Sequence, residues 1–175
     1  AHAINLYLSA LTHSAPSNQS IALVDFERIL ARARIYYTSI TIIIKGYQLN
    51  GNWALAERAI TLATSKLEQL LSEQPANQLL STALSHVYLL AAKQDEHTQN
   101  QEGAASTTNA TSNAKSNKRI ACQQAANLLR PIVTDNSSYE VLLPYVQAHD
   151  CLQQQDKVRP FVDKLALMQI KNYSF

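Results

Sequence analysis

The sequence predicts an all-α fold, a single domain built from antiparallel helical hairpins stacked side by side. Three observations carry this expectation. Residues 49–59 place a tight Asn50-Gly51 turn, an aromatic at Trp53 and a small residue at Ala56 where two helices would meet. A hairpin of that kind cannot bury its apolar face alone, so it requires neighbours. Glycine occurs only 3 times in 175 residues, too rarely for the tight turns of sandwiches and barrels, many of which need positive φ. Apolar residues recur at spacings of three and four over most of the chain, the period of a helix with one buried stripe.

Residues 4–11 carry Ile4, Leu6, Leu8 and Leu11 at helical spacing and run into the breaker Ser14-Ala15-Pro16-Ser17-Asn18. Ser20 is suited to cap the next helix, its hydroxyl accepting from free backbone amides. The stripe that follows includes Ile21, Val24, Ile29, Ala33, Tyr36, Ile40, Ile43, Ile44 and Tyr47, with Glu27, Arg28, Arg32 and Arg34 outward. Residues 36–44 are rich in β-branched and aromatic side chains, and propensity alone favours a strand. The flanking helical period and the lack of a partner strand of similar character outweigh that preference.

After Gly51, Asn52 is placed to cap a helix with Trp53, Ala56, Ile60, Ala63, Leu67 and Leu70 or Leu71 inward, which must end before Pro75. Asn77 is placed to cap the next, whose stripe is Leu80, Ala83, Leu84, Val87, Leu90 and Ala91. Residues 95–117 are dominated by Asn, Ser, Thr, Ala, Gln and Glu. With nothing large and apolar to bury, they are expected to form a disordered insertion. The pattern resumes with Ile120, Ala121, Ala125, Leu128 and Leu129 up to Pro131. Ser137-Ser138-Tyr139-Glu140 has the form of a capping box and predicts a helix with Leu142, Tyr145 or Val146, His149 and Leu152 inward. Pro144 lies beyond the ideal first-turn position and should bend the entry. A last helix follows Asp156, with Val158, Phe161, Val162, Leu165 and Met168 inward.

Composition narrows the function classes. A net charge of +2 with interspersed acids gives no nucleic-acid footprint, and Lys115, Lys118 and Arg119 read as solvated residues beside a polar linker. The most apolar run, residues 35–44, is interrupted by Thr38 and Ser39 and stopped by Lys45. It is far shorter than the ~20 residues of a membrane span, so no direct membrane insertion by this segment is expected. The chain opens with Ala1 and its single methionine is Met168, so it reads as a fragment of a longer protein. The compartment stays open between cytoplasmic and extracytoplasmic.

No catalytic constellation is visible, and the expectation is a non-enzyme without metal or cofactor. The 5 histidines, His2, His13, His86, His97 and His149, include no pair three or four apart, the helical spacing that presents two imidazoles to one metal. His149 on an apolar stripe reads as a hydrogen-bonded core histidine. It points about 200° away from Cys151 on a helix, which argues against a nucleophile and base pair. The 2 cysteines, Cys122 and Cys151, fit no zinc spacing. Two readings stay open for them: small apolar fillers of helix interfaces, or neighbours on adjacent helices oxidised in an extracytoplasmic setting.

Tyr47, Gly51, Trp53, Ala56, Ile60, Ala63 and Pro75 resemble the pattern of tetratricopeptide repeats, with departures at Ile44, where Gly or Ala is usual, and at Pro75, which comes late. A looser similarity covers residues 121–175. Ala121-Cys122, Leu128-Leu129-Arg130-Pro131, Leu143-Pro144-Tyr145, Cys151-Leu152 and the aromatic tail look like the C-terminal repeat region of large bacterial signalling proteins, such as receptor-like serine/threonine kinases and winged-helix regulators. The resemblance implies a right-handed superhelical array of about three hairpins, the first helix of each lining a concave groove. In that register the groove residues are Thr38, Thr41, Lys45 and Gln48, then Ser81, Ser85 and Tyr88, then Gln147 and Asp150. The implied function is protein–protein interaction or signal reception, with a protein or peptide segment held in the groove. The alternative is a structural spacer or self-association domain, a homodimer formed through the aromatic-rich central helix.

Overall fold

The structure, a computed structural model, describes the backbone of residues 37–102 and 110–172 and the side chains of residues 40–98 and 117–168. These residues form six α-helices and one 3-10 turn, with no strand among them. The helices are α1 (Tyr37–Leu49), α2 (Trp53–Glu73), α3 (Gln78–Glu102), α4 (Ala110–Leu129), α5 (Tyr139–Cys151) and α6 (Arg159–Asn172); the 3-10 turn is Gln155–Lys157. The expectations for residues 4–36, including the Ser20 cap, lie outside the described residues.

Helix α1 settles the conflict between propensity and period in favour of period. Ile40, Ile43, Ile44 and Tyr47 are all buried, a single stripe of i, i+3, i+4 and i+7 positions. Backbone geometry closes the helix. Asn52 N–H donates to Tyr47 C=O at 2.9 Å and Gly51 N–H to Gln48 C=O at 3.1 Å, with Gly51 at φ +73°. This is the six-to-one and five-to-two pair of a Schellman stop, which needs a left-handed residue. Asn52 then precedes α2 but makes no side-chain cap bond to it; α2 buries Ala56, Ala59, Ile60, Ala63, Leu67 and Leu70 and ends before Pro75. Asn77 caps α3 as its sequence position predicts, its Oδ1 accepting from the N–H groups of Leu79 and Leu80.

Hydrogen bonds fix how the helices lie. Gln94 Nε2 donates to Trp53 C=O at the start of α2, and the Tyr88 hydroxyl bonds the Glu68 carboxylate further along, so α2 and α3 run in opposite directions. Helices α3 and α4 do the same, through Ser85 with the Ala125 carbonyl and Glu96 with Lys118 at 3.3 Å. Helix α3 sits at the centre and touches α1, α2, α4 and α5. Its most extensive contact is with α4, where Ser85 meets Ala125 and where Ser81, Ser85, Ala121, Ala125 and Ala126 are all buried. Small side chains there let two backbones come close, and Ser85 Oγ stays satisfied by donating to Ser81 C=O at 2.6 Å.

Residues 95–117, expected to form a disordered insertion, have a helical backbone in their described parts. Helix α3 continues to Glu102 and α4 begins at Ala110, leaving only residues 103–109 outside the described residues. Composition correctly finds little to bury, yet extending an existing helix costs far less than starting one. The extension also has partners: the Trp53 ring stacks on His97 with centroids 3.6 Å apart, and Glu96 pairs with Lys118. Trp53 is half-buried by this stack.

Cys122 and Cys151 form a disulfide with Cα atoms 6.2 Å apart, joining α4 to α5. The expected capping box at Ser137 and Glu140 does not form, and α5 starts one residue later. Ser138 is the residue before α5 and makes no side-chain cap bond, while Ser137 Oγ accepts from Thr134 N–H and closes the preceding turn. Pro144 lies inside α5 and is buried. Val158, directly before α6, and Leu165 within it are buried, but Val162 is exposed rather than inward.

Helix α5 ends in a second Schellman stop, with Gln154 N–H to His149 C=O at 2.8 Å and Gln153 N–H to Asp150 C=O at 2.9 Å. Here the left-handed residue is Gln153, at φ 59°, where a side chain is strained. Gln153→Gly is therefore expected to raise stability by roughly 1 kcal/mol, and Gly51→Ala to lower it by a similar amount. Urea unfolding midpoints for the two variants check both signs; a Gln153→Gly variant weaker than the parent contradicts the argument.

Candidate functional site

Three helices that are not consecutive, α1, α3 and α5, enclose a cavity of about 500 Å³. Helix α1 contributes Thr41, Ile42 and Lys45, and α5 contributes Leu143 and Gln147. From α3 come His86, Leu89, Leu90 and Lys93. The floor is aliphatic and the cationic groups stand at its edge: Lys45 and Lys93 are exposed, whereas Leu89, Leu90 and Leu143 are half-buried. Ile42 adds an exposed apolar edge. Lysine stems can lie along such a surface while the ammonium groups stay in water.

His86 stands at the wall between α3 and α5. Proline at position 144 has no N–H, so it cannot donate to the carbonyl four residues earlier, that of Glu140. The Glu140 backbone acts on the His86 ring from across the interface and favours its protonated form. Burial is the larger influence and lowers the His86 pKa below its ordinary value; the Glu140 backbone opposes this, and the Lys45 charge adds to it.

Of the expected groove residues, Thr41, Lys45 and Gln147 come together in this cavity. Thr38 lies in α1, its side chain outside the described residues. Asp150 lines an adjoining cavity of about 620 Å³ between α5 and α6, which Gln147 also borders. The other four lie elsewhere. Gln48 is buried, its Nε2 donating to Leu90 C=O at 2.9 Å and to Gln94 Oε1 at 3.4 Å. It staples α1 to α3 beside the hairpin turn. Ser81 and Ser85 are buried at the contact with α4. Tyr88 points to the other side of α3, bordering a separate cavity with Ile60, Glu68 and Ile120; burial and then the Glu68 carboxylate push its hydroxyl pKa well up. His86, Leu89 and Lys93 border the cavity one residue further round α3 than the expected Ser85 and Tyr88, about 100° of rotation.

His149 is a core histidine, as its stripe position predicts. It is buried, its Nδ1 lies 3.0 Å from Gln154 Oε1, and its ring meets Tyr145 edge-on. Burial also lowers its pKa; the Gln154 bond opposes this, and Lys157 and Arg130 add to it. Both imidazoles, His86 half-buried and His149 buried, therefore favour the neutral form, and protons bind more readily to the unfolded chain. The stability they contribute is complete above the unfolded histidine value of about 6.5 and is lost as pH falls through that value towards the lower folded values. Urea midpoints are expected to fall steadily between pH 7.5 and 5.5, and the double variant His86→Gln, His149→Gln should flatten the profile. An unchanged profile in the double variant places the effect elsewhere.

Among the described residues no three His, Cys, Asp or Glu side chains are grouped to hold a metal ion, and no helix is long and apolar enough to cross a membrane. No family model matches this chain, and neither a characterised protein nor a solved structure matches it. The six-helix domain is compatible with a helical repeat array.

Proposed function

We propose that this chain is a non-catalytic interaction module that receives a segment of a protein partner along the face formed by α1, α3 and α5. The supporting observation is the cavity built by these three helices, with an aliphatic floor and exposed lysines at its edge. Its volume suits a few side chains of a docked segment, the mixed lining suits apolar anchoring with polar orientation, and alternate helices on one face fit the tetratricopeptide-like superhelix suggested by Tyr47, Gly51 and Trp53. The bonded cysteines fit an oxidising, extracytoplasmic setting for a larger signalling protein.

The reading is tested by selecting peptides from a random display library against the 175-residue chain, then mapping bound peptides by amide shift changes. Binders that perturb Thr41, Lys45, Lys93 and Gln147 support it. Selected peptides that all map to the α2–α4 side of α3 overturn it. The alternative of self-association through the aromatic-rich helix draws less support, since Ile40, Ile43, Ile44 and Tyr47 are already covered within the chain.

A further inference from the structure

The two cavities that share Gln147 carry opposite charge. At one, Lys45 and Lys93 are exposed, and neither is in an ion pair with a described residue. The other is bordered by Asp150, Asp156 and Asp163, with Arg159 offsetting one of the three, and by the apolar Val146, Val158 and Val162. The surface between them is not a seam: Gln147 borders both, and the exposed Val162 continues the aliphatic lining. Helix α5 measures the offset, since Leu143 lies at the basic cavity and Asp150 at the acidic one. Seven residues of helix are about 10 Å, roughly the length of three residues in extended chain.

Resting on the interaction reading above, we propose that the partner segment is dipolar: an acidic cluster seats at Lys45 and Lys93, a short aliphatic stretch follows, and a basic cluster seats at Asp150, Asp156 and Asp163. Charge complementarity then fixes which end of the segment lies on which hairpin, and a segment of uniform charge meets repulsion at one end. No ion pair with a described residue engages the lysines or the aspartates of the two cavities, and the bond from Gln155 Nε2 to Asp150 Oδ1, at 3.4 Å, is the contact a partner's cation would displace. The offset requires that the partner's two charge clusters stand about three or more residues apart.

The probe is a synthetic peptide of about ten residues with glutamates at one end, leucine and valine in the middle and lysines at the other, bound to the 175-residue chain. Its affinity is expected to exceed that of all-glutamate and all-lysine peptides of equal length roughly tenfold or more, and to weaken as salt shortens the screening length. A nitroxide on the glutamate end should broaden amides near Lys45 and Lys93, and one on the lysine end those near Asp156 and Asp163. In the variant Lys45→Glu, Lys93→Glu, Asp150→Lys, Asp156→Lys, with folding checked by circular dichroism, the two patterns should exchange. Equal affinity for a uniformly charged peptide, or broadening at both cavities from either label, overturns the dipolar assignment and leaves the interaction face standing. Failure of all three peptides to perturb either cavity overturns the dipolar assignment, whereas the interaction face is judged separately by the display selection.

Discussion

Replacing Tyr47 by alanine is expected to cost about 3–5 kcal/mol, the range for deleting a buried aromatic ring. Tyr47 is fully buried and ends the stripe that begins at Ile40. Its carbonyl also accepts the closing bond of the hairpin turn, so collapse of the cavity would pull directly on the α1–α2 junction. The hydroxyl tells a different story. It is buried with no hydrogen-bond partner among the described residues, and burial pushes its pKa up to about 12. Tyr47→Phe removes a desolvated hydroxyl and keeps the ring, so its expected effect is neutral to about 1 kcal/mol stabilising. Denaturant unfolding of the two variants separates packing from polarity. A Tyr47→Phe variant that loses as much as Tyr47→Ala would show that the hydroxyl has a partner that matters.

Breaking the Cys122–Cys151 bond has an expected cost of about 3–4 kcal/mol, from the loop entropy returned to the unfolded chain over a separation of 29 residues. That corresponds to a fall in melting temperature of roughly 10 °C for a domain of this size. The effect should be concentrated where the bond acts. It ties α5, and with it Leu143 and Gln147, to the remainder of the core, and Cys151 is only half-buried, so a small dithiol can reach it. Reduction should therefore raise hydrogen exchange in α5 and α6 before α2 and α3. The double variant Cys122→Ala, Cys151→Ala should reproduce the shift without reductant. A melting point within about 2 °C of the oxidised protein would mean that apolar contacts at Leu129, Leu142 and Ala148 hold α5 unaided.

Local chemistry made several boundaries legible. Gly51 at a left-handed stop, Asn77 accepting at its carboxamide oxygen from two free amides, and Pro75 excluded from a helix interior each act within a few residues, so their consequences travel with the sequence. Periodicity placed Ile40, Ile43, Ile44 and Tyr47 inward against strand propensity. It also put His149 in the core. Gln153 was harder to read, because nothing in a glutamine announces a positive φ; the flanking stop imposes it.

The groove was legible only in part, and α3 shows why. It carries apolar or small residues nearly all round, from Leu79, Leu80, Ala83 and Leu84 to Val87, Tyr88, Leu89, Leu90, Ala91 and Ala92. A helix packed by four neighbours has no single polar stripe to mark which side remains open. Ser81 and Ser85 look like solvent residues by type, yet their small size places them at the contact with α4. Lys93 sits at the edge of a stretch whose composition suggested that structure was fading.

Capping, turn chemistry and helical period are short-range effects, and they already make the described chain helical, end α1 and α2, start α3 and set the buried stripe of α1. Packing between distant helices chose the face of α3 that borders the cavity, the bond between Cys122 and Cys151, and the grouping of Lys45 with Lys93. Those depend on which side chains distant helices bring within a few ångströms of one another, and that is set by the packing of all of them together.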